Sequence, residues 1–131
     1  MRYLIDTDWV ILALRGNNNA QVLLDSLSPD GLAISLITYG EVYEGIYYGR
    51  DRRASEAGFH QFLRGVTVIS LNRQSMRHFA RIRGELRRTG QIIGDPDILI
   101  AATALYHDLI LVTQNRAHFQ RIPQLRLYPL S

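Results

Sequence analysis

Short runs of consecutive apolar residues alternate along this chain with longer stretches in which apolar positions recur every third or fourth residue. The short runs, at 2–5, 32–37, 66–71 and 109–113, have the length of strands buried on both faces. Residues 125–128 read as a short last strand, with Pro129 at its end as suits a sheet edge. The periodic stretches read as helices. One runs through Trp9 to Leu14 and stops near Gly16; a second, within 17–28, turns Val22, Leu23, Leu24 and Leu27 inward. Others continue from Thr38 to Gly49, and over 54–63 with Phe59, Phe62 and Leu63 inward. The clearest covers 73–89, where Met76, Phe79, Ile82 and Leu86 make an apolar stripe. Strands alternating with helices predict one α/β domain over 1–131. The expected architecture is a three-layer sandwich, a central parallel sheet of four or five strands flanked by helices.

One helix departs from this amphipathic pattern. Gly94-Asp95-Pro96-Asp97 leads into Ile98-Leu99-Ile100-Ala101-Ala102-Thr103-Ala104-Leu105, which carries no charge. A helix apolar on all sides is buried on most of them. Asp95 reads as its cap and Pro96 as its first residue, since proline there loses no hydrogen bond. Asp97 then sits in the first turn. A carboxylate at the tip of a buried helix is costly without a partner.

Other polar groups stand at comparable junctions. Asp6 and Asp8 follow the first strand, and either one serves as cap of the next helix or as a group facing the crevice at the strand ends. Thr38-Tyr39-Gly40-Glu41 has the form of a capping box, which leaves Glu41 a structural role beside a functional one. Thr113 ends the fourth strand and Asn115 follows it. In a parallel sheet, right-handed crossovers carry such junctions to one rim. Asp6, Glu41 and Asp97 meeting there would repel one another unless a cation sits among them. The chain has no cysteine and no clustered histidine, and His60 stands alone, so the donors are hard oxygens suited to Mg²⁺ or Mn²⁺.

Composition narrows the chemistry further. All 15 basic residues are arginine, and the formal net charge is +3. Without lysine there is no P-loop, Schiff-base or lysine-assisted phospho-aspartate chemistry. Arg73, Arg77, Arg81 and Arg88 share a face of the 73–89 helix, either as a solvated surface or as a track for a nucleic-acid backbone. The absence of cysteine excludes disulfides and thiolate metal sites. No signal peptide or membrane span fits the sequence, so a cytoplasmic protein without membrane contact is expected.

Four blocks carry a family likeness: Leu4 to Asp8, Ser35 to Glu41, Ile93 to Ala102 and Leu111 to Phe119. In this order, over nearly the whole chain, they resemble the PIN domain, and most closely the ribonuclease toxins called VapC of VapBC toxin–antitoxin pairs. The resemblance implies that Asp6, Glu41 and Asp97 are catalytic acids that bind Mg²⁺, with Mn²⁺ as a substitute. It selects Asp97 over Asp95 and leaves Asp95 as cap and outer helper. It implies supporting roles for Thr7 and Thr113. Asn115 stands where members often carry a fourth acid; its amide oxygen binds a cation or water but brings no charge, which leaves one metal or two open. An RNA substrate, a homodimer and a small VapB-like antitoxin that places an arginine among the acids are also implied. The alternatives are a catalytically silent PIN-fold binding module, a DNA-directed nuclease of the same fold, and a receiver-like phospho-acceptor, which normally needs the lysine this chain lacks.

Overall fold

A computed structural model describes residues 1–130. Four strands, β1 (Tyr3–Ile5), β2 (Leu32–Ser35), β3 (Val66–Ile69) and β4 (Ile110–Val112), form one parallel sheet in the order β3-β2-β1-β4. The helices are α1 (Thr7–Leu14), α2 (Asn18–Leu27), α3 (Leu36–Tyr47), α4 (Arg52–Leu63), α5 (Arg73–Arg88), α6 (Asp95–Tyr106) and α7 (Arg116–Phe119). The sheet grows outward from β1 to β3. The chain then crosses back, through α5 and α6, to lay β4 on the other side of β1. That reversal opens a crevice beyond the carboxyl ends of β1 and β4.

Strand alternation divides the core into two layers. Leu4, Ala33 and Leu111 face α5 and α6, among Ile82, Leu86, Ile98, Ala101 and Phe119. Tyr3, Ile5, Leu32, Ile34 and Val112 face α1 to α4, among Val10, Leu24, Val42 and Phe59. The uncharged helix α6 is buried through Ile98, Ile100, Ala101, Ala102, Thr103 and Ala104, as its sequence predicts. Its alanines let it lie close against α5 and the sheet.

Several expected boundaries move, each for a local reason. The second and third strands stop at Ser35 and Ile69, short of 37 and 71, because capping residues take over the backbone. The Ser35 hydroxyl accepts from the Thr38 amide at 3.0 Å and starts α3. Asn72 and Ser75 form a reciprocal capping box that starts α5, each side chain accepting from the other's backbone amide at 2.8 Å. The expected last strand at 125–128 reduces to a single parallel bridge, Leu111 to Leu127, with Pro123 and Pro129 limiting further pairing. The sheet therefore has four strands. Val22 and Met76 are exposed, not inward: α2 turns Ala20, Leu24 and Leu27 to the core, and α5 turns Ser75, Ile82 and Leu86. Gly31 enters β2 at φ +91°, and a Cβ there would lie 2.8 Å from the Met1 Cα. Among the described residues no helix is long and apolar enough to cross a membrane.

Candidate active site

The crevice between β1 and β4 holds the chain's most unusual carboxylates. Asp6 leaves β1 in extended conformation, and its Oδ1 accepts from the Thr7 amide at 2.8 Å, capping α1. Its Oδ2 accepts from the Thr113 hydroxyl at 2.6 Å, across the junction with β4. Asp6 thus fills both roles that its position suggested, cap and crevice group. Asp8 reaches the same crevice from the first turn of α1. Its Oδ2 accepts from the Gln114 amide at 2.8 Å and lies 3.4 Å from the Thr113 hydroxyl. Its Oδ1 accepts from the Trp9 amide at 2.6 Å.

Asp6 is only 6% exposed. Burial, then the neighbouring charge of Asp8 and, more weakly, that of Asp97 push its carboxyl up to about 7, against the hydrogen bonds from Thr113 and Thr7. Burial raises Asp8 as well. Among the described residues no arginine or histidine forms an ion pair with Asp6 or Asp8.

Thr113 links these acids to the next segment. Fully buried, it donates to Asp6 and accepts from the Asn115 amide at 3.0 Å. Thr113→Val keeps the shape and removes both bonds. We expect it to cost roughly 1.5–3 kcal/mol in denaturant unfolding, the range for hydrogen bonds to charged groups. A valine variant as stable as the parent would remove Thr113 from the site.

Asp97 comes from the tip of α6, at the same rim. Its Oδ2 lies 3.4 Å from Asn115 Nδ2 and 3.1 Å from His118 Nδ1. The helix enters through Gly94, the extended cap residue, so Asp95 and Pro96 both fall inside its first turn. Asp95 is therefore not the cap. Starting the helix one residue early swings its side chain across to α5, where Arg83 Nε donates to it at 2.8 Å. It takes no part in the hydrogen bonds of the crevice.

Glu41 lies one turn into α3. Because Ser35 is the cap, Thr38 is the third helical residue, and the expected Thr38–Glu41 capping box does not form. Glu41 instead accepts from the Thr7 hydroxyl at 2.6 Å, and Thr7 and Thr38 hydroxyls stand 3.0 Å apart. Hydrogen bonds thus join Glu41 to Thr7, Asp6 to Thr113, Thr113 to Asn115, and Asn115 to Asp97. This is an open rim of acids. Among the described residues no three acidic or histidine side chains are gathered into a ready metal cage.

Asp8, read from the sequence as either cap or crevice group, reaches the crevice. One member of this rim escapes a reading by sequence. His118 shared a polar turn with Asn115, and the signal was their spacing: three residues apart at the start of α7, they share a face. His60 proves structural, its Nε2 3.0 Å from the Tyr43 hydroxyl, bridging α3 and α4.

Four parallel strands with acids at the switch between β1 and β4 define a class, and sequence comparison agrees: the chain belongs to the PIN-domain family, whose domain it matches over residues 3–125. That membership removes the phospho-acceptor reading. The chain is 30% identical over 126 residues to Ribonuclease VapC2 of Haemophilus influenzae, covering 96% of each chain. It is 28% identical over 127 residues to the tRNA(fMet)-specific endonuclease VapC of Salmonella typhimurium, covering 97% of this chain and 96% of that one. Among solved structures it superposes on VapBC2 from Rickettsia felis, bound to a DNA fragment from its promoter, with a TM-score of 0.92 and 28% identity over all of both chains.

Proposed function

We propose that this protein is a metal-dependent endoribonuclease and the toxin of a type II toxin–antitoxin pair. The observation that carries the reading is the set of Asp6, Asp8 and Asp97 around one crevice with, among the described residues, no ion-pair partner on Asp6 or Asp8. Such a set fits a divalent cation: the donors are hard oxygens, and the carboxyl of Asp6 is raised first by burial and then by the charge of Asp8, both of which a bound cation would oppose. The ribonuclease names of the full-length relatives supply the substrate class.

In this scheme Asp6 and Asp97 would hold Mg²⁺ or Mn²⁺. When bound, the ion opposes the negative charge that grows on a phosphodiester and makes a nearby water easier to deprotonate. Thr113 fixes the rotamer of Asp6 through its 2.6 Å bond, so one carboxylate edge stays turned to the crevice. Thr7 holds one oxygen of the exposed Glu41 and leaves the other to orient a water and take its proton. Attack of that water on phosphorus breaks one P–O bond, and the departing oxygen keeps the electron pair until solvent protonates it. Asp95, paired with Arg83, contributes to the shape of the α6 tip. A homodimer and a small antitoxin that sets an arginine against the acids complete the proposal. Light scattering of the free chain should give the dimer mass.

The test is cleavage of a mixed tRNA and mRNA pool in Mg²⁺. We expect the parent to cut, EDTA to stop it, and Asp97→Asn to lower the rate at least about a hundredfold. Equal cleavage by Asp97→Asn overturns the assignment. Absence of cleavage together with absence of acid-dependent Mg²⁺ or Mn²⁺ binding would instead establish the silent binding module.

A further inference from the structure

Asp97 Oδ2, the Asn115 amide and His118 Nδ1 form a triangle with edges of 3.4, 2.9 and 3.1 Å. Hydrogen bonds alone do not satisfy all three edges. An imidazole nitrogen carries either a proton or a lone pair, never both. If Nδ1 accepts from the Asn115 NH₂, its lone pair faces the Asp97 oxygen. If Nδ1 donates to Asp97, its N–H faces the NH₂ of Asn115. Turning the amide over relieves that contact and sets its oxygen against the Asp97 oxygen instead. In each of these arrangements two like groups face each other across one edge, most weakly in the last, where the two oxygens are 3.4 Å apart and share the single Nδ1 proton.

One arrangement removes the conflict: three lone pairs pointing at a common centre. With metal–ligand distances of 2.0–2.1 Å, neighbouring donors of an octahedral ion lie about 3.0 Å apart. The three observed edges bracket that separation. The amide must turn its oxygen inward, and His118 must carry its proton on Nε2. The imidazole is 42% exposed, so water can satisfy that Nε2–H. The donors also sit on anchored elements. Asn115 and His118 flank the first turn of α7, which Phe119 ties into the core, and α7 packs on α6, which carries Asp97.

We infer that His118 is a nitrogen ligand of the catalytic ion, together with Asp97 and the Asn115 amide oxygen, so that the site selects Mn²⁺ over Mg²⁺. The inference rests on the proposed function only in taking Asp97 as a metal ligand. Imidazole nitrogen favours the first-row transition ions, whereas Mg²⁺ favours oxygen. Asp6 and Asp8 supply charge to the same crevice that Asn115 and His118 do not.

The experiment is pulsed electron paramagnetic resonance of the full chain loaded with Mn²⁺. The parent should show ¹⁴N modulation from a directly bound imidazole. The signal should vanish in His118→Gln and persist in His107→Gln, whose histidine lies at the far end of α6. By calorimetry the ratio of Mn²⁺ to Mg²⁺ affinity should fall about tenfold in His118→Gln, and also in His118→Asp, which restores an all-oxygen face. Far-UV circular dichroism confirms that each variant is folded. Mn²⁺ binding that depends on Asp97 but shows no ¹⁴N modulation in the parent overturns the nitrogen ligand and leaves the nuclease reading standing. Mn²⁺ binding indifferent to Asp97→Asn overturns both.

Discussion

Asp6→Asn will stabilise the metal-free protein at pH 8 while abolishing cleavage of RNA. The two effects have one cause. Asp6 is held at about 7 in the folded chain, against 3.8 for a free side chain. A carboxyl raised by folding binds its proton more tightly in the native state. Its stabilising contribution is therefore complete when protonated and disappears as pH climbs from about 4 through about 7. Above that, both states are ionised and the native state alone bears the repulsion and burial. The rise corresponds to as much as about 4 kcal/mol. Asparagine carries no charge, yet its Oδ1 still accepts from the Thr7 amide, so the cap of α1 survives. In EDTA, thermal melts of parent and variant should coincide near pH 4 and separate progressively to pH 8, where the variant melts on the order of 10 °C higher. Adding Mn²⁺ at pH 8 should stabilise the parent and leave the variant unmoved, as binding to the native state alone requires. Cleavage should fall about a thousandfold. Melting curves that stay parallel across pH would show that Asp6 has no excess charge to lose. A variant less stable at every pH would show that its carboxylate is already satisfied.

The same residue shows why sequence could locate this site but not assemble it. Asp6 and Thr113 lie 107 residues apart and meet at 2.6 Å only because β4 inserts beside β1. Alternation of strands and helices predicts a parallel sheet, and a parallel sheet predicts a common rim. It does not predict which strands are neighbours. The acids that end strands or open helices, Asp6, Glu41 and Asp97, were legible because junctions carry polar residues into otherwise apolar surroundings. The family likeness then separated Asp97 from Asp95. What failed was helix phase. A shift of one residue at Gly94 turned Asp95 from cap to partner of Arg83. A shift at Ser35 freed Glu41 from a capping box and gave it to Thr7. Several residues compete for each cap there, and tertiary contacts choose among them. His118 was hidden for another reason: no other histidine stands at ligand spacing, and its partners come from α6 and the turn after β4.

The second large effect concerns the smallest element. Phe119→Ala should cost about 3–5 kcal/mol and also weaken metal binding, whereas Phe59→Ala should cost as much and leave metal binding intact. Both phenylalanines are fully buried. Phe59 packs in the layer of α1 to α4, against Tyr39 and Tyr43, on the side of the sheet away from α6. Phe119 packs in the opposite layer, with Ile98, Ile122 and Leu125. It is the one buried residue of a four-residue helix that lacks a side-chain cap bond. Such a helix has no independent stability and is held by what it buries. Without the ring, α7 would lose its hold on α6, and Asn115 and His118 would lose their distance to Asp97. A domain of ordinary stability survives either substitution at 20 °C, so Mn²⁺ affinity can be measured on folded protein. We expect Phe119→Ala to weaken it about tenfold or more and Phe59→Ala to change it less than twofold. Equal affinities in the two variants would show that α7 is not what positions the rim. Asp97 on α6 and Asp6 after β1 would then have to hold the ion without the turn after β4.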